Sequence, residues 1–147
     1  FPELGIVHKK PKEAREKFKP FLFELLNGFC RDLKYNGNVT IFPGAQFLPE
    51  SIYEYPKKDK FIVIFLGMSD ATPQQLMTKI RGMDTNFDWT HNRSDDQLLN
   101  NCKEIVNESI ELKNKCNEYG FYYFDTFKNR NEILNQIVSL IEKENSL

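Results

Sequence analysis

An α/β fold, a three-layer parallel sheet with helices on both faces, is what this 147-residue sequence predicts. Three observations carry that expectation. Short apolar runs at Val39–Phe42, Phe61–Leu66 and Phe121–Phe124 read as strands buried on both faces. Helical apolar spacing lies between and after them. Two Ser/Thr-x-x-Gln capping boxes, at Thr72 and Ser94, mark where helices begin.

The elements follow in order. FPELGIVHKKP reads as an extended lead-in that ends at Pro11. Ala14, Phe18, Phe21, Leu22, Leu25, Leu26 and Phe29 then recur at helical spacing and make one apolar stripe, read as core packing. Pro20 inside it should kink that helix or open a second one. Tyr35-Asn36-Gly37-Asn38 is a turn signal. The strand Val39–Phe42 is closed by Pro43-Gly44, and Pro49 can open a short helix through Tyr53 or Tyr55. Phe61–Leu66, ended by Gly67, is the strongest strand. Thr72-Pro73-Gln74-Gln75 opens a helix whose apolar face is Leu76, Met77, Ile80 and Met83. Asp84–Arg93 has no periodicity and reads as an exposed loop. Ser94-Asp95-Asp96-Gln97 opens a long helix, with acids suited to its positive start and Gly120 as its C-terminal cap. After the third strand, Asn129 with Glu132 can cap a last helix.

Composition narrows the function. Forty per cent apolar and 28% charged residues fit one globular domain across 1–147. Lys+Arg total 20 against Asp+Glu 21, net charge −1, which argues against a nucleic-acid partner. The longest apolar run is too short to span a bilayer, so no membrane partner is expected. Cys30, Cys102 and Cys116 are widely spaced, so reduced thiols in a cytoplasmic setting are expected. His8 and His91 are the two histidines, and no metal site is expected on the chain's own residues.

Ligands of parallel sheets bind at the carboxyl ends of strands. That rim holds Pro43–Gln46, Gly67–Asp70 and Asp125–Asn129. Gly44 allows close backbone approach and Gln46 offers a donor and an acceptor, or the two form a plain turn. Arg81 and Arg93 bracket a lid-like loop, 81–94, that holds Asp88, Trp89 and His91. Two guanidinium groups there could close on phosphates, or pair with Asp84, Asp95 or Asp96. Trp89, the single tryptophan, reads as a packing anchor more often than a base-stacking platform. Asp125 either orients a ligand or satisfies backbone donors in its own turn.

From about Phe18 to Glu144 the chain resembles the C-terminal two-thirds of P-loop nucleotide kinase-like proteins of the adenylate kinase and shikimate kinase type. The resembling segments are VTIFPGAQFLPE, FIVIFLGMSDATPQQLMTKIRGMD, DWTHNRSDDQLL and YGFYYFDTFKNRNEILNQIVSLI. The resemblance implies lid arginines at Arg81 and Arg93, and an acceptor site near Gly44, Gln46 and Trp89. It implies a base pocket at Thr126, Lys128 and Asn129, with ATP and Mg²⁺ as cofactors. The family's G-x-x-x-x-G-K-S/T loop is not in these residues, and Phe42 stands where the family often has an acid that assists the metal. The chain begins at Phe1, so a preceding strand and phosphate loop, on the order of 30–40 residues, is expected upstream. The function implied is ATP-dependent phosphotransfer to a nucleoside, nucleotide or other hydroxylated metabolite. The alternatives are a non-catalytic nucleotide-binding or protein-interaction domain, and a flavodoxin-like or receiver-type domain without an arginine-bearing lid.

Overall fold

The computed structural model describes residues 11–36 and 40–145. The lead-in 1–10, and with it Gly37, Asn38 and Val39, lies outside them. The chain divides into two compact units, Phe1–Phe61 and Ile62–Leu147.

In the first unit, helix α1 spans Pro11–Asn36. Pro20 lies inside it, so neither a break nor a second helix start occurs there. Leu22, Leu26 and Cys30, four residues apart, form its buried stripe. Short helix α2 spans Pro49–Tyr53, with Pro49 in its first turn. Tyr55 is buried; its hydroxyl donates to Asn27 Oδ1 at 3.0 Å, and Lys57 Nζ reaches the same oxygen at 2.9 Å. Lys19 pairs with Glu54. A single 3₁₀ turn covers Lys58–Lys60.

The second unit runs strand β1 (Ile64–Gly67), helix α3 (Pro73–Met83), helix α4 (Asp95–Tyr119), strand β2 (Tyr122–Asp125) and helix α5 (Arg130–Asn145). β1 and β2 are parallel, in register from Ile64 opposite Tyr122 to Gly67 opposite Asp125. Both expected capping boxes form: Thr72 Oγ1 accepts from Gln75 N, Ser94 Oγ accepts from Gln97 N, and each Gln returns a bond to the cap's backbone N–H. Gly120 closes α4 at φ 74°, the left-handed region where a Cβ is penalised. α4 packs on both strands and on α3. Ala71, Leu76, Leu98, Cys102 and Val106 make the core there, with Met68, Met77, Ile80, Ile105 and Phe127 against it.

This corrects the expected fold class. The described residues are mostly helical, and their one sheet has two strands, not the three-layer parallel sheet. The first of the three strands does not form among its described residues: Thr40–Phe42 has no regular structure, and Ile41 is 77% exposed. That apolar run is short and ends at Pro43, which has no ladder N–H to give. The second is trimmed. β1 begins at Ile64 rather than Phe61, because its partner is only four residues long. β2 is bounded by the cap at Gly120 on one side and by the turn at Asp125 on the other. The last helix starts at Arg130, with Asn129 at φ 49° and its carbonyl accepting from Ile133 N at 3.1 Å.

Candidate functional site

The carboxyl ends of the two parallel strands meet in a set of hydrogen bonds. The Asp125 carboxylate accepts from Asp70 N at 2.8 Å and Ser69 Oγ at 3.0 Å on one oxygen, and from Phe127 N at 2.9 Å on the other. Asp125 therefore satisfies its own turn and joins it to the turn after β1. Thr126 does similar work, with its N–H (2.8 Å) and its hydroxyl (3.2 Å) both donating to Gly67 O. Lys79, from α3, donates to Phe127 O at 2.6 Å and sits 5.1 Å from that ring's centre. Lys113 lies 3.4 Å from Asp70 Oδ1. Beyond this braced turn, Asn129, Arg130, Asn131 and Glu132 line an open groove of about 400 Å³. Of the expected base-pocket residues, Asn129 lines the groove, Lys128 is exposed, and Thr126 is spent on joining the strands.

The loop between α3 and α4 is built on Arg81. All five N–H groups of its guanidinium are used. Nε donates to Asp95 Oδ1 (3.2 Å). Nη1 donates to Asp84 Oδ2 (3.3 Å) and Thr90 O (3.1 Å). Nη2 donates to Arg93 O (2.6 Å) and Asp95 Oδ1 (3.0 Å). One side chain thus ties the end of α3 to the start of α4. Asp84, whose side chain is 7% exposed, also accepts from the Thr90 hydroxyl, and His91 Nδ1 lies 3.6 Å away. Asp88 Oδ2 accepts from Thr85 N (2.8 Å) and Thr85 Oγ1 (2.6 Å); these two bonds hold its carboxyl below the usual range. Successive turn bonds, Asp88 N to Thr85 O, His91 N to Asp88 O and Arg93 N to Thr90 O, complete the loop.

Arg81 therefore pairs with Asp84 and Asp95, the structural alternative among the two readings its position allowed. Arg93 is different. Its carbonyl is anchored, its side chain is exposed, and no hydrogen bond or ion pair among the described residues engages its guanidinium. Trp89 is 61% exposed and Phe87 is 99% exposed, so Trp89 is not a packing anchor. Exposure of this tryptophan was not legible in the sequence, because the buried member of the loop is its neighbour Thr90, 5% exposed, held from both sides by Arg81 and Asp84.

Gly44 and Gln46 belong to the first unit and Arg81, Trp89 and Arg93 to the second. At Gly44 a Cβ would come within 2.6 Å of Gln46 Nε2 and of the Phe47 ring, so Gln46 folds back over its own turn. The three cysteines are buried, and burial pushes the Cys102 thiol up, away from the thiolate form a nucleophile needs. Among the described residues no group of three or more His, Cys, Asp or Glu side chains is placed to hold a metal ion. No helix among them is long and apolar enough to cross a membrane. No family model, curated protein or solved structure matches the chain.

Proposed function

We propose that this chain is a nucleotide-binding domain that takes its ligand at the carboxyl rim of β1 and β2. The observation that carries the reading is the groove at Asn129–Glu132, immediately beyond the strand end where open parallel sheets place ligands. Asn129 and Asn131 offer amides that both donate and accept, as a base edge requires, and Arg130 offers a charged fork for phosphate.

Non-catalytic binding is favoured over phosphoryl transfer by one fact. Arg81 has no N–H left for a transferred phosphoryl group. ATP-dependent transfer to a hydroxylated acceptor is the second reading, supported by the exposed Arg93 guanidinium at the other border of the loop.

Calorimetric titration with ATP, ADP and AMP tests the first reading. Saturable binding that weakens several-fold in Arg130→Ala is expected. No heat with any of the three at millimolar concentration overturns it. The second reading requires ATP consumption in the presence of a nucleoside acceptor, lost in Arg93→Ala; binding without consumption removes it.

A further inference from the structure

Helix α1 carries more apolar surface than the first unit covers. Its buried stripe is Leu22, Leu26 and Cys30, and Lys19 pairs with Glu54 on that side. Phe21 and Leu25 belong to the same apolar run, yet they stay 46% and 41% exposed. Phe18 stacks on Phe21 with ring centres 6.1 Å apart, and nothing lies within 4 Å of a Cβ built at Gly28. At about 100° per residue, Phe18, Phe21, Leu25 and Gly28 share an arc of about 80°. The centre of that arc is about 120° round the helix from the buried stripe, which leaves it open to approach. Spacings of three, four and three residues make these positions the a/d seam of a coiled coil. The flank of the seam that faces away from the buried stripe holds Lys17 and Glu24, both exposed and one heptad apart.

We infer that this seam is a homodimer interface, in which α1 packs antiparallel on α1 of a second copy with Phe18 opposite Phe21. Charge complementarity chooses both the occupant and the register. A two-fold pairing is isologous, so in an antiparallel pair the Lys17–Glu24 flank meets its own copy. With Phe18 opposite Phe21, Lys17 lies within about 3 Å along the axis of Glu24 of the second copy. The two-fold makes that ion pair twice. Sliding by one heptad in one direction sets Glu24 against Glu24, and sliding in the other sets Lys17 against Lys17. A parallel pair turns the same flank toward Leu22 and Phe29 and gives neither charge a partner. The antiparallel register with Phe18 opposite Phe21 therefore buries the exposed apolar seam and pairs both charges. Four phenylalanine rings stand at its centre, and the ion pairs stand at its rim. The inference is independent of the nucleotide reading, since it concerns the first unit alone.

Sedimentation velocity of the full chain over a concentration series is the test. A reversible monomer–dimer equilibrium that weakens as salt rises is expected. Lys17→Glu and Glu24→Lys, each alone, set like charges at both pairs and should weaken the dimer roughly tenfold. An equimolar mixture of the two variants should dimerise as the wild type does, because every pair across the mixed interface is again opposite in sign. The double variant Lys17→Glu/Glu24→Lys should do the same. Leu25→Glu puts a charge into the seam and should weaken association by roughly a hundredfold or more. Circular dichroism checks that the variants keep the wild-type spectrum, as exposed positions allow. The charge variants leave the apolar residues intact, so they decide the matter even if Leu25→Glu unfolds. A chain that sediments as a monomer at every concentration overturns the inference and leaves the seam to a different partner. A dimer that a folded Leu25→Glu does not weaken lies elsewhere and overturns it as well. Association lost in both single charge variants and not recovered in their mixture overturns the antiparallel register.

Discussion

Arg81 Nη2 donates to the backbone carbonyl of Arg93 across 2.6 Å, so the arginine at one border of the loop holds the segment of the arginine at the other. One is the clasp and the other is the residue displayed. Removing the clasp leaves a largely buried Asp84 carboxylate without its charged donor and frees two carbonyls. Arg81→Ala should therefore destabilise the chain by about 2–3 kcal/mol, the range for a hydrogen-bonded charge that loses its partner. Arg81→Lys should recover little, since an ammonium cannot reproduce a planar five-donor fork. Urea denaturation gives the energy. Amide exchange across 85–94 gives the location, and wild-type protection there in Arg81→Ala would refute the clasp.

Two glycines should respond to alanine with opposite sign. Gly82 sits inside α3 with nothing within 4 Å of an added Cβ, so Gly82→Ala should gain about 0.5–1 kcal/mol from reduced freedom in the unfolded chain. Gly120 also has open space around it, but its φ is 74°. Gly120→Ala should cost about 1–2 kcal/mol from backbone strain alone. Denaturant midpoints measure both; a shared sign would show that packing, not backbone conformation, governs the two positions.

These contrasts show which parts of the fold can be read from residue order. Caps are local, so Thr72-x-x-Gln75, Ser94-x-x-Gln97 and Gly120 were all legible: the partners lie within one turn of one another. Sheet pairing is not local. The apolar run at Phe61–Leu66 predicts a strand, but how much of it pairs depends on a partner 58 residues away in the register, Ile64 with Tyr122. The run at Val39–Phe42 looks equally strand-like, yet its described part finds no ladder. The site divides in the same way. That Arg81 could pair with Asp84 or Asp95 followed from proximity in sequence. That one guanidinium also spends donors on the carbonyls of Thr90 and Arg93 did not, because backbone acceptors leave no mark on the residue pattern.

Asp125 offers a check on the rim. Its two oxygens take three donors from two separate turns, and an amide in its place must present an NH₂ to at least one N–H. Asp125→Asn should cost about 1–3 kcal/mol. The loss should reach the Asn129–Glu132 groove as well, since Phe127 N anchors the turn in front of it. Chemical-shift changes at 128–132 in Asp125→Asn are the measurement. A variant with native stability and unshifted amides there would show that the carboxylate is not bracing the groove.

In the first unit, Tyr55 makes stability depend on alkaline pH. Burial, reinforced by the neighbouring Cys30, pushes its hydroxyl up to about 12, against about 10 for an unfolded tyrosine. The folded state thus keeps a proton that the unfolded state gives up. Below pH 10 both states are protonated and the full contribution is present. Between pH 10 and 12 the unfolded chain alone deprotonates, and stability is progressively lost. The melting temperature should therefore fall across that interval, with a rise in tyrosinate absorbance that coincides with unfolding. Tyr55→Phe removes the titrating group while Lys57 still donates to Asn27, so its melting temperature should fall less steeply over the same interval. Equal slopes in the two proteins would place the alkaline transition on other groups.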